Sequence, residues 1–388
     1  MTKGLGILVF LVFVFGPAYA EEKSGPIKME EVVVTATKTE RLLEEVPGRI
    51  QVITKEDIQK APGQKIDDYL NNLSGVSVIR SNGIFTLGPN VTLRGLGREG
   101  GRTLVLVNGM PINKSDTGEV NWNRVNVEDI ERIEVFKGPA SSLYGNNAMG
   151  GVINIITKSP EKFIEGNVAA KYGAFNTYGA NAAISGNPLG KTSGPYYRAS
   201  GYYQKSDGYI STEESQRNQY TRKRFLEEGN AALAVGYRFN PDNLVELAGS
   251  YFNDKRGEGT QIQAPDGVSR DFDTANLSLM YRGGVQDLRW EIKGFYQLED
   301  YRRVSESQRG AIYTRFDVQS DREDKGIIFH VSKKLFPHNR VTLGGDLKQG
   351  SIDGLENIRL PRTVPTTGGK WISMPFTFRM KSILWTGG

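Results

Sequence analysis

Apolar and polar side chains alternate along several stretches in the second half of the chain. Leu233, Val235 and Tyr237 occupy every second position of one stretch, and residues 288–297 and 341–348 repeat the pattern. A period of two places side chains of one kind on one face of a β-strand. The pattern predicts strands of about ten residues with one apolar face and one polar face.

Short and long connections join the predicted strands in turn. The short ones are residues 240–243, 283–287 and 336–340, and the long ones are residues 206–228, 255–270 and 301–324. Two earlier connections break this order, because residues 175–176 are short and residues 187–195 are long. A soluble β-sandwich also alternates apolar and polar positions, but this asymmetry favours an outer-membrane β-barrel. The aromatic residues expected at its membrane interfaces are Tyr178, Tyr197, Tyr203, Tyr251, Tyr281 and Trp290.

A smaller region of mixed character precedes these strands. A strand near residues 49–53 leads into Thr54, which is predicted to cap a short helix together with Asp57, and a second helix is predicted over residues 66–73. The turn signal Asn108-Gly109 follows an apolar run. Further short strands are predicted at residues 76–79, 91–94, 103–107, 133–136 and 151–157. These elements predict a compact α+β domain.

The start of the chain has the pattern of an export signal. Lys3 precedes an apolar run over residues 5–15, and Ala18-Tyr19-Ala20 is a small-residue cleavage site. The apolar run is too short for a membrane-spanning helix, which needs about 20 residues. Residues 1–20 are therefore predicted to be a signal peptide, and residues 21–46 a polar leader.

The composition of the chain excludes several kinds of functional site. The chain has no cysteine, which excludes disulfides and thiolate metal sites, and its net charge of +5 calls for no nucleic-acid partner. Neither His330 nor His338 has an evident acidic partner for nucleophilic catalysis, so we expect no enzyme, cofactor or metal. The glycines at 95, 97 and 100 match a dinucleotide fingerprint, but a strand follows where that site needs a helix.

Four segments together resemble one family. They read IERIEVFKGPASSLYGNNAMGGVINIITK at 130–158, EEVVVTA at 30–36, VTLRGLG at 91–97 and LVLVNGMPI at 104–112. This order resembles the plug region of TonB-dependent outer-membrane receptors, the siderophore and cobalamin receptor family. The resemblance implies an α+β plug domain over residues 47–158, followed over residues 159–352 by the N-terminal part of an antiparallel transmembrane β-barrel.

The resemblance also implies roles for individual residues. The TonB box, which pairs with the inner-membrane energy-coupling protein TonB, would be Glu30, Glu31, Val32, Val33, Val34, Thr35 and Ala36. Substrate contacts would be Ser81, Asn82, Phe85, Met110, Asn113, Trp122, Arg222 and Arg224. Contacts between plug and barrel would be Arg94, Arg98, Arg102, Glu131, Glu134 and Lys137.

By the same resemblance, the function expected is energised uptake of a scarce nutrient, a ferric siderophore first of all, across the outer membrane of a Gram-negative bacterium. Cobalamin or another small nutrient is the alternative within the family, and a nonfunctional truncated remnant is another. A general porin would need neither plug nor TonB box, and a barrel enzyme lacks a recognisable catalytic set. Expected partners are TonB, a small-molecule nutrient and outer-membrane lipid.

The predicted barrel has fewer strands than the family's lumen needs. Roughly nine or ten strands can be counted, against about 22 in plugged transporters. The alternation decays after Pro361, so residues 353–388 are predicted to be an aberrant tail, from a frameshift, a truncation or a split gene. The expected fold is therefore a plug domain with part of a barrel.

Overall fold

The computed structural model describes residues 33–34, 41–42, 49–61, 63–96, 101–145, 147–189, 193–336, 339–361 and 373–387. The predicted signal peptide and most of the predicted leader lie outside this part of the chain. Within the leader, β1 (Val33–Val34) pairs with β2 (Arg41–Leu42) in an antiparallel arrangement. No helix in the described ranges is long and apolar enough to cross a membrane.

Residues 49–157 form a mixed unit, which we call the N-terminal domain. Its elements are β3 (Arg49–Thr54), α1 (Lys55–Lys60), α2 (Ile66–Leu70), β4 (Val76–Ile79), β5 (Asn90–Leu93), β6 (Thr103–Val107), β7 (Met110–Pro111), β8 (Ile130–Lys137), α3 (Ser141–Tyr144) and β9 (Gly151–Thr157). Five strands form one sheet in the order β3-β8-β9-β6-β7, and β4 and β5 form a separate hairpin. In the larger sheet β6 and β9 run parallel, and the other neighbours run antiparallel.

The strand β9 explains why this domain holds together. Ile153 and Ile155 on one face join a cluster with Ile133 and Leu70, whereas Val152 on the other face joins a second cluster with Leu104. The sheet is thus buried on both sides, as the apolar run of residues 151–157 predicts. Each fully buried aliphatic side chain stabilises the fold by roughly 1.5–3 kcal/mol.

The first helix begins as the sequence predicts. The backbone N–H of Asp57 donates to the Thr54 Oγ1 atom at 3.2 Å, and the backbone N–H of Thr54 donates to the Asp57 carboxylate at 2.9 Å. These reciprocal hydrogen bonds form a capping box. The pKa of the Asp57 carboxyl is lowered, because the backbone N–H and the hydroxyl of Thr54 both donate to the carboxylate and favour its charged form.

Ten strands form a second sheet, which we call the wall. They are β10 (Glu165–Gly173), β11 (Thr177–Gly186), β12 (Gly194–Ser206), β13 (Leu226–Asn240), β14 (Asn243–Gly257), β15 (Ser269–Val285), β16 (Leu288–Arg309), β17 (Ile312–Phe336), β18 (Asn339–Pro361) and β19 (Ser373–Gly387). Each strand pairs antiparallel with the next one in the chain. Within the described residues this order has β10 at one edge and β19 at the other.

The two faces of the wall differ in polarity. Outward-facing apolar residues are widely exposed, with Leu233 at 55 %, Leu343 at 75 % and Val168 at 83 %. Polar residues on the opposite face are buried, and Glu228 and Asp254 are at most 1 % exposed. The alternation predicted from sequence is confirmed, and it gives the wall an apolar exterior and a polar interior.

The connections follow the prediction at most turns. Residues 241–242 and 286–287 join strands on one rim, and residues 207–225 and 258–268 are long loops on the other. The early short turn is also present, where Phe175 and Asn176 adopt positive φ angles of 61° and 54°. Such angles suit a tight turn that follows the twist of its strands.

Two expectations are corrected. Residues 301–324 are not a loop, because β16 and β17 stay paired up to Arg309 and Ile312 around a turn at Gly310. Their polar composition suggested a loop, yet polar side chains on both faces suit a hairpin in water as well. The boundary predicted at residue 352 lies inside β18, and residues 373–387 add β19 beside it.

The capping box gives a first testable prediction. The variant Thr54→Ala removes the side-chain acceptor and should destabilise the start of α1 by about 1 kcal/mol. Hydrogen exchange of the backbone amides of residues 55–60 should therefore become faster. The variant Thr54→Ser keeps the hydroxyl and should exchange as the original chain does. Unchanged exchange in the alanine variant would contradict the role of the box.

Candidate functional site

The N-terminal domain contacts the polar face of the wall through a few charged side chains. The first group, which we call cluster one, consists of Lys65, Glu228, Asp254 and Arg256. Lys65 forms an ion pair with Glu228, and Arg256 pairs with Glu228 and, at 2.8 Å from its Nε atom, with Asp254. All four residues are at most 6 % exposed. A lone charge in such a place would be strongly destabilising, so the pairing is obligatory.

The strand register explains why cluster one forms. Glu228 on β13 and Asp254 on β14 are direct partners across the two strands, and Arg256 follows on the same face. Lys65 precedes helix α2 and extends from the N-terminal domain to Glu228, with its Nζ atom 4.8 Å from the centre of the Tyr202 ring. Cluster one therefore joins the N-terminal domain to three adjacent strands.

Arg256 also holds an apical loop of the N-terminal domain, residues 80–86. Its Nη1 atom donates to the carbonyl oxygens of Ile84 at 2.5 Å and Thr86 at 3.2 Å. Arg80 at the start of the loop pairs with Asp67 in α2. The loop, helix α2 and the wall are thereby linked through buried charges.

A second group, cluster two, consists of Lys114, Asp116, Glu299 and Arg322. Lys114 pairs with Glu299 at 2.7 Å, and Arg322 pairs with Glu299 and with Asp116 at 2.7 Å. The Lys114 ammonium lies 4.7 Å from the centre of the Phe272 ring. Burial raises the pKa of the Asp116 carboxyl, but Arg322 outweighs this effect and holds that pKa below its ordinary value.

The segment of residues 121–129 makes the remaining central contacts. Asn121 and Asn126 each cap a short 3₁₀ turn, Trp122–Arg124 and Val127–Asp129, through their side-chain oxygens. The wall then binds the backbone of this buried segment, since the Tyr202 hydroxyl donates to the Asn123 carbonyl at 2.6 Å.

Two further contacts hold the same segment. The Asn230 amide donates to the Arg124 carbonyl at 3.0 Å, and the Ser200 hydroxyl donates to the Asp129 carboxyl at 2.5 Å. Burial raises the pKa of the Asp129 carboxyl, although Ser200 and Arg198 act in the opposite direction. The asparagine-rich sequence NWNRVN is the signal in this segment that sequence reasoning missed.

The long loops pack on one another at the outer rim. The Arg222 backbone N–H donates to the Gly259 carbonyl at 2.9 Å, which joins loop 207–225 to loop 258–268. The Glu306 carboxylate accepts three backbone N–H groups of the second loop, at 2.6 Å from Ile262, 3.0 Å from Gln263 and 2.9 Å from Ala264. The β16–β17 hairpin therefore positions both loops.

The predicted substrate contacts divide into exposed and buried residues. Ser81 and Arg222 are exposed, and Asn82 and Arg224 are partly exposed. Phe85 is buried and packs edge-on against Tyr209 at 5.4 Å between ring centres. Phe85 therefore places loop 80–86, which also contains Ser81 and Asn82, beside loop 207–225, which contains Arg222 and Arg224.

The other three residues predicted to contact substrate are buried. Trp122 is 3 % exposed and lies in the core of the N-terminal domain, and Met110 packs against Phe295 of the wall. Asn113 is buried, and its side chain bonds the Val105 N–H and the Thr103 and Gly118 carbonyls. Trp122 and Asn113 thus make contacts within the N-terminal domain, and Met110 packs against the wall, so contact with substrate stays a prediction for all three.

The predicted plug–barrel contacts lie largely within the N-terminal domain. Arg102 donates to the Leu96 carbonyl at 2.6 Å, Glu134 accepts from Arg132 at 2.9 Å, and Lys137 bonds Gln51 and the Ser74 carbonyl. The reason is that β8, which carries Glu134 and Lys137, lies inside the sheet between β3 and β9.

The remaining predicted contacts are placed as follows. Arg94 is exposed, Glu131 is partly exposed at a register shift of β8, and Arg98 lies outside the described residues. Of the predicted TonB box, Val33 and Val34 form β1, and Glu30, Glu31, Val32, Thr35 and Ala36 lie outside the described residues. The part of the chain that the structure describes has no group of three or more His, Cys, Asp or Glu residues arranged to hold a metal ion.

Comparison with known proteins relates this architecture to a family. The family model described as "TonB-dependent Receptor Plug Domain" matches residues 43–152. The "Probable TonB-dependent siderophore receptor PirA" of Acinetobacter baumannii is 36 % identical over 184 residues, which cover 42 % of this chain and 24 % of that protein. The "Vitamin B12 transporter BtuB" of Vibrio vulnificus is 38 % identical over 141 residues, which cover 36 % of this chain and 22 % of that protein.

Solved structures share the fold over a larger part of the chain. The ferripyoverdine receptor of the Pseudomonas aeruginosa outer membrane aligns with a TM-score of 0.65 and 15 % identity, covering 90 % of this chain and 50 % of that one. The siderophore receptor PirA of Acinetobacter baumannii aligns with a TM-score of 0.55 and 16 % identity, covering 86 % of this chain and 59 % of that one. The sequence matches span about a quarter of the length of the curated relatives.

Cluster one gives a second testable prediction. The variant Glu228→Gln removes the carboxylate that Lys65 and Arg256 share. It should weaken the binding of the N-terminal domain to the wall by about 3 kcal/mol. The midpoint of urea unfolding, followed through the fluorescence of the buried Trp122, should therefore fall.

The adjacent pair Lys205–Glu227 provides a matched control. These two side chains are 2.9 Å apart but 39 % and 41 % exposed, so Glu227→Gln should change stability by less than about 1 kcal/mol. Equal midpoints for the two variants would contradict the importance of cluster one.

Glu306 gives a third prediction. The variant Glu306→Gln replaces one carboxylate oxygen with an amide nitrogen, which donates and cannot accept, so hydrogen exchange at residues 262–264 should become about tenfold faster or more. Glu323→Gln is the control, because Glu323 lies in the same hairpin and pairs with Lys325 at 2.7 Å. Similar exchange in both variants would show that Glu306 does not fix the loop.

Proposed function

We propose that this chain is a TonB-dependent receptor that takes up a scarce nutrient across the outer membrane, with a ferric siderophore as cargo. The N-terminal domain is the plug in this proposal, and the wall is the surrounding barrel surface. The proposal rests on one observation: the ion pairs of clusters one and two hold a domain that matches the plug family against the polar face of the wall.

The wall fits a position in a membrane. Its exposed face carries large apolar residues on successive strands, such as Val235, Leu247, Leu279 and Ile292. Its other face carries the charges that hold the N-terminal domain. A strand exposed to lipid on one side and to a polar interior on the other needs this division.

The ion pairs between the plug and the wall also suggest why uptake would need energy. Passage of cargo requires the plug to shift, and a shift separates Lys65 from Glu228 and Lys114 from Glu299. Breaking one buried pair by removing its partner costs about 3–5 kcal/mol. Neither ATP nor an ion gradient is available at the outer membrane, so an external pull on the leader is a reasonable source.

The leader contains an extended segment to which that force could be applied. Val33–Val34 is extended and pairs with Arg41–Leu42, and a two-stranded sheet can accept a further strand at an edge. TonB would join here, with residues 30–36 as the recognised segment.

The outer loops support an anionic cargo. Arg222 and Lys223 are exposed and Arg224 is partly exposed, so three consecutive basic residues lie in loop 207–225. The Arg224 Nε atom donates to the Ser211 hydroxyl at 2.8 Å, which fixes part of this basic group. Positive charge near an entrance attracts anionic ligands. Cobalamin is the second candidate, because the similar proteins include vitamin B12 transporters.

The decisive experiment is uptake by bacteria that produce this chain with residues 30–36 deleted. Labelled ferric siderophores and labelled cobalamin are supplied separately. Uptake of the cargo should be lost, because TonB can no longer engage the leader. Deletion of residues 22–28 is a control of equal length and should leave uptake intact. Uptake that persists without residues 30–36 would overturn the energised mechanism, and the label accumulated by the intact chain identifies the cargo.

A further inference from the structure

A cavity of about 140 Å³ lies between the N-terminal domain and the middle of the wall. Strands β12 to β16 supply one side of its lining, and the segments around residues 108–112 and 124–129 supply the other. Two guanidinium groups, Arg124 and Arg198, line the cavity together with a single carboxyl group, Asp129. The lining therefore carries more positive than negative charge.

Arg124 is the unusual member of this lining. It is 8 % exposed, and the hydrogen bond that its side chain makes is a long one, 3.3 Å to the Gln297 amide oxygen. Among the described residues, no carboxylate lies within ion-pair distance of its guanidinium. Four other cations at the contact between domain and wall, Lys65, Lys114, Arg256 and Arg322, each have a carboxylate partner.

More distant carboxylates do not substitute for a partner. Glu299 and Asp324 favour the charged form of Arg124, but Glu299 is already bound by Lys114 and Arg322. Burial lowers the pKa of Arg124 to about 10, so the guanidinium still carries its charge at neutral pH. A buried positive charge without a neighbouring anion is strongly unfavourable.

Other polar atoms around the cavity also lack partners. The Asn126 side chain is 5 % exposed, and its Nδ2 donor has no hydrogen-bond acceptor. The Oδ1 acceptors of Asn230 and Asn276 are likewise without donors. A cavity of this size with several polar groups in its lining has room for an ion together with several water molecules. An anion would satisfy Arg124 and Asn126, and water would satisfy the two amide oxygens.

We propose that this cavity binds a small monovalent anion, held by the Arg124 guanidinium and the Asn126 amide. Guanidinium groups bind halides and planar oxyanions through their N–H donors. The single Asp129 carboxyl and the two amide oxygens disfavour a multiply charged ion. The bound anion supplies the partner that Arg124 lacks and strengthens the contact between residues 121–129 and the wall.

Bromide is the probe, because its position can be determined by anomalous diffraction. Crystals of the full chain grown without chloride and soaked in sodium bromide should show an anomalous peak in the cavity, within about 3.5 Å of Arg124 and Asn126. Water alone in the cavity, with bromide confined to the protein surface, would overturn the proposal.

Thermal unfolding tests the same site in solution. At constant ionic strength, replacing gluconate, which is too large for the cavity, with bromide should raise the midpoint by about 2–4 °C at saturating concentration. The variant Arg124→Gln should lose this shift. Arg217→Gln, which removes an exposed arginine of loop 207–225, should keep it. If bromide raised the unfolding midpoint equally in both variants, the effect would come from the solvent and the proposal would be overturned. If Arg124→Gln does not fold, the bromide position in the unaltered chain decides the matter.

Discussion

The pairing of buried charges between the N-terminal domain and the wall is the interaction on which the rest of the structure depends. Glu228, Asp254 and Glu299 face the inside of the wall, where water is largely excluded. They are tolerated there because Lys65, Arg256, Lys114 and Arg322 neutralise them. Buried pairs add little net stability compared with apolar packing, but they are costly to break. The charges therefore specify where the domain sits more than how strongly it is held.

The same constraint fixes the register of the strands. A slip of one residue would move Glu228 to the outer face and Leu233 to the inner face, since side chains alternate between the faces. In the wall pairings the register shifts next to two turns, between Arg238 and Asn240 and between Lys334 and Phe336. Pairing is regular between those turns and the loops. The polar interior and the apolar exterior are thus two results of one register.

Local signals in the sequence predicted local structure well. The capping box at Thr54 and Asp57 and the turn at Asn108-Gly109 depend on neighbouring residues, and both form as predicted. The alternating strands were predicted for the same reason. The hairpin of residues 301–324 was missed because its polar composition is also that of a loop. Strand pairing decided between the two, and pairing depends on residues far apart in the chain.

The contacts between domain and wall could not be predicted from local patterns. Lys65 and Glu228 are separated by 163 positions, so no local pattern relates them. Charged residues near the family motif, such as Glu134 and Lys137, were the natural candidates, but their strand lies inside its own sheet. Trp122, which the sequence suggests as a substrate contact, lies in the core of the N-terminal domain, since apolar aromatic side chains serve both recognition and packing. Burial, which sequence does not display, distinguishes the two roles.

Arg256 holds the apical loop of residues 80–86 through carbonyl oxygens and not through side chains. Every amino acid supplies the same carbonyl group, so this anchor does not depend on which residues occupy the loop. The exposed Ser81 and the partly exposed Asn82 can consequently change in identity while the loop keeps its place. A backbone-held loop of this kind lets the surface above the buried charges vary in sequence without disturbing them.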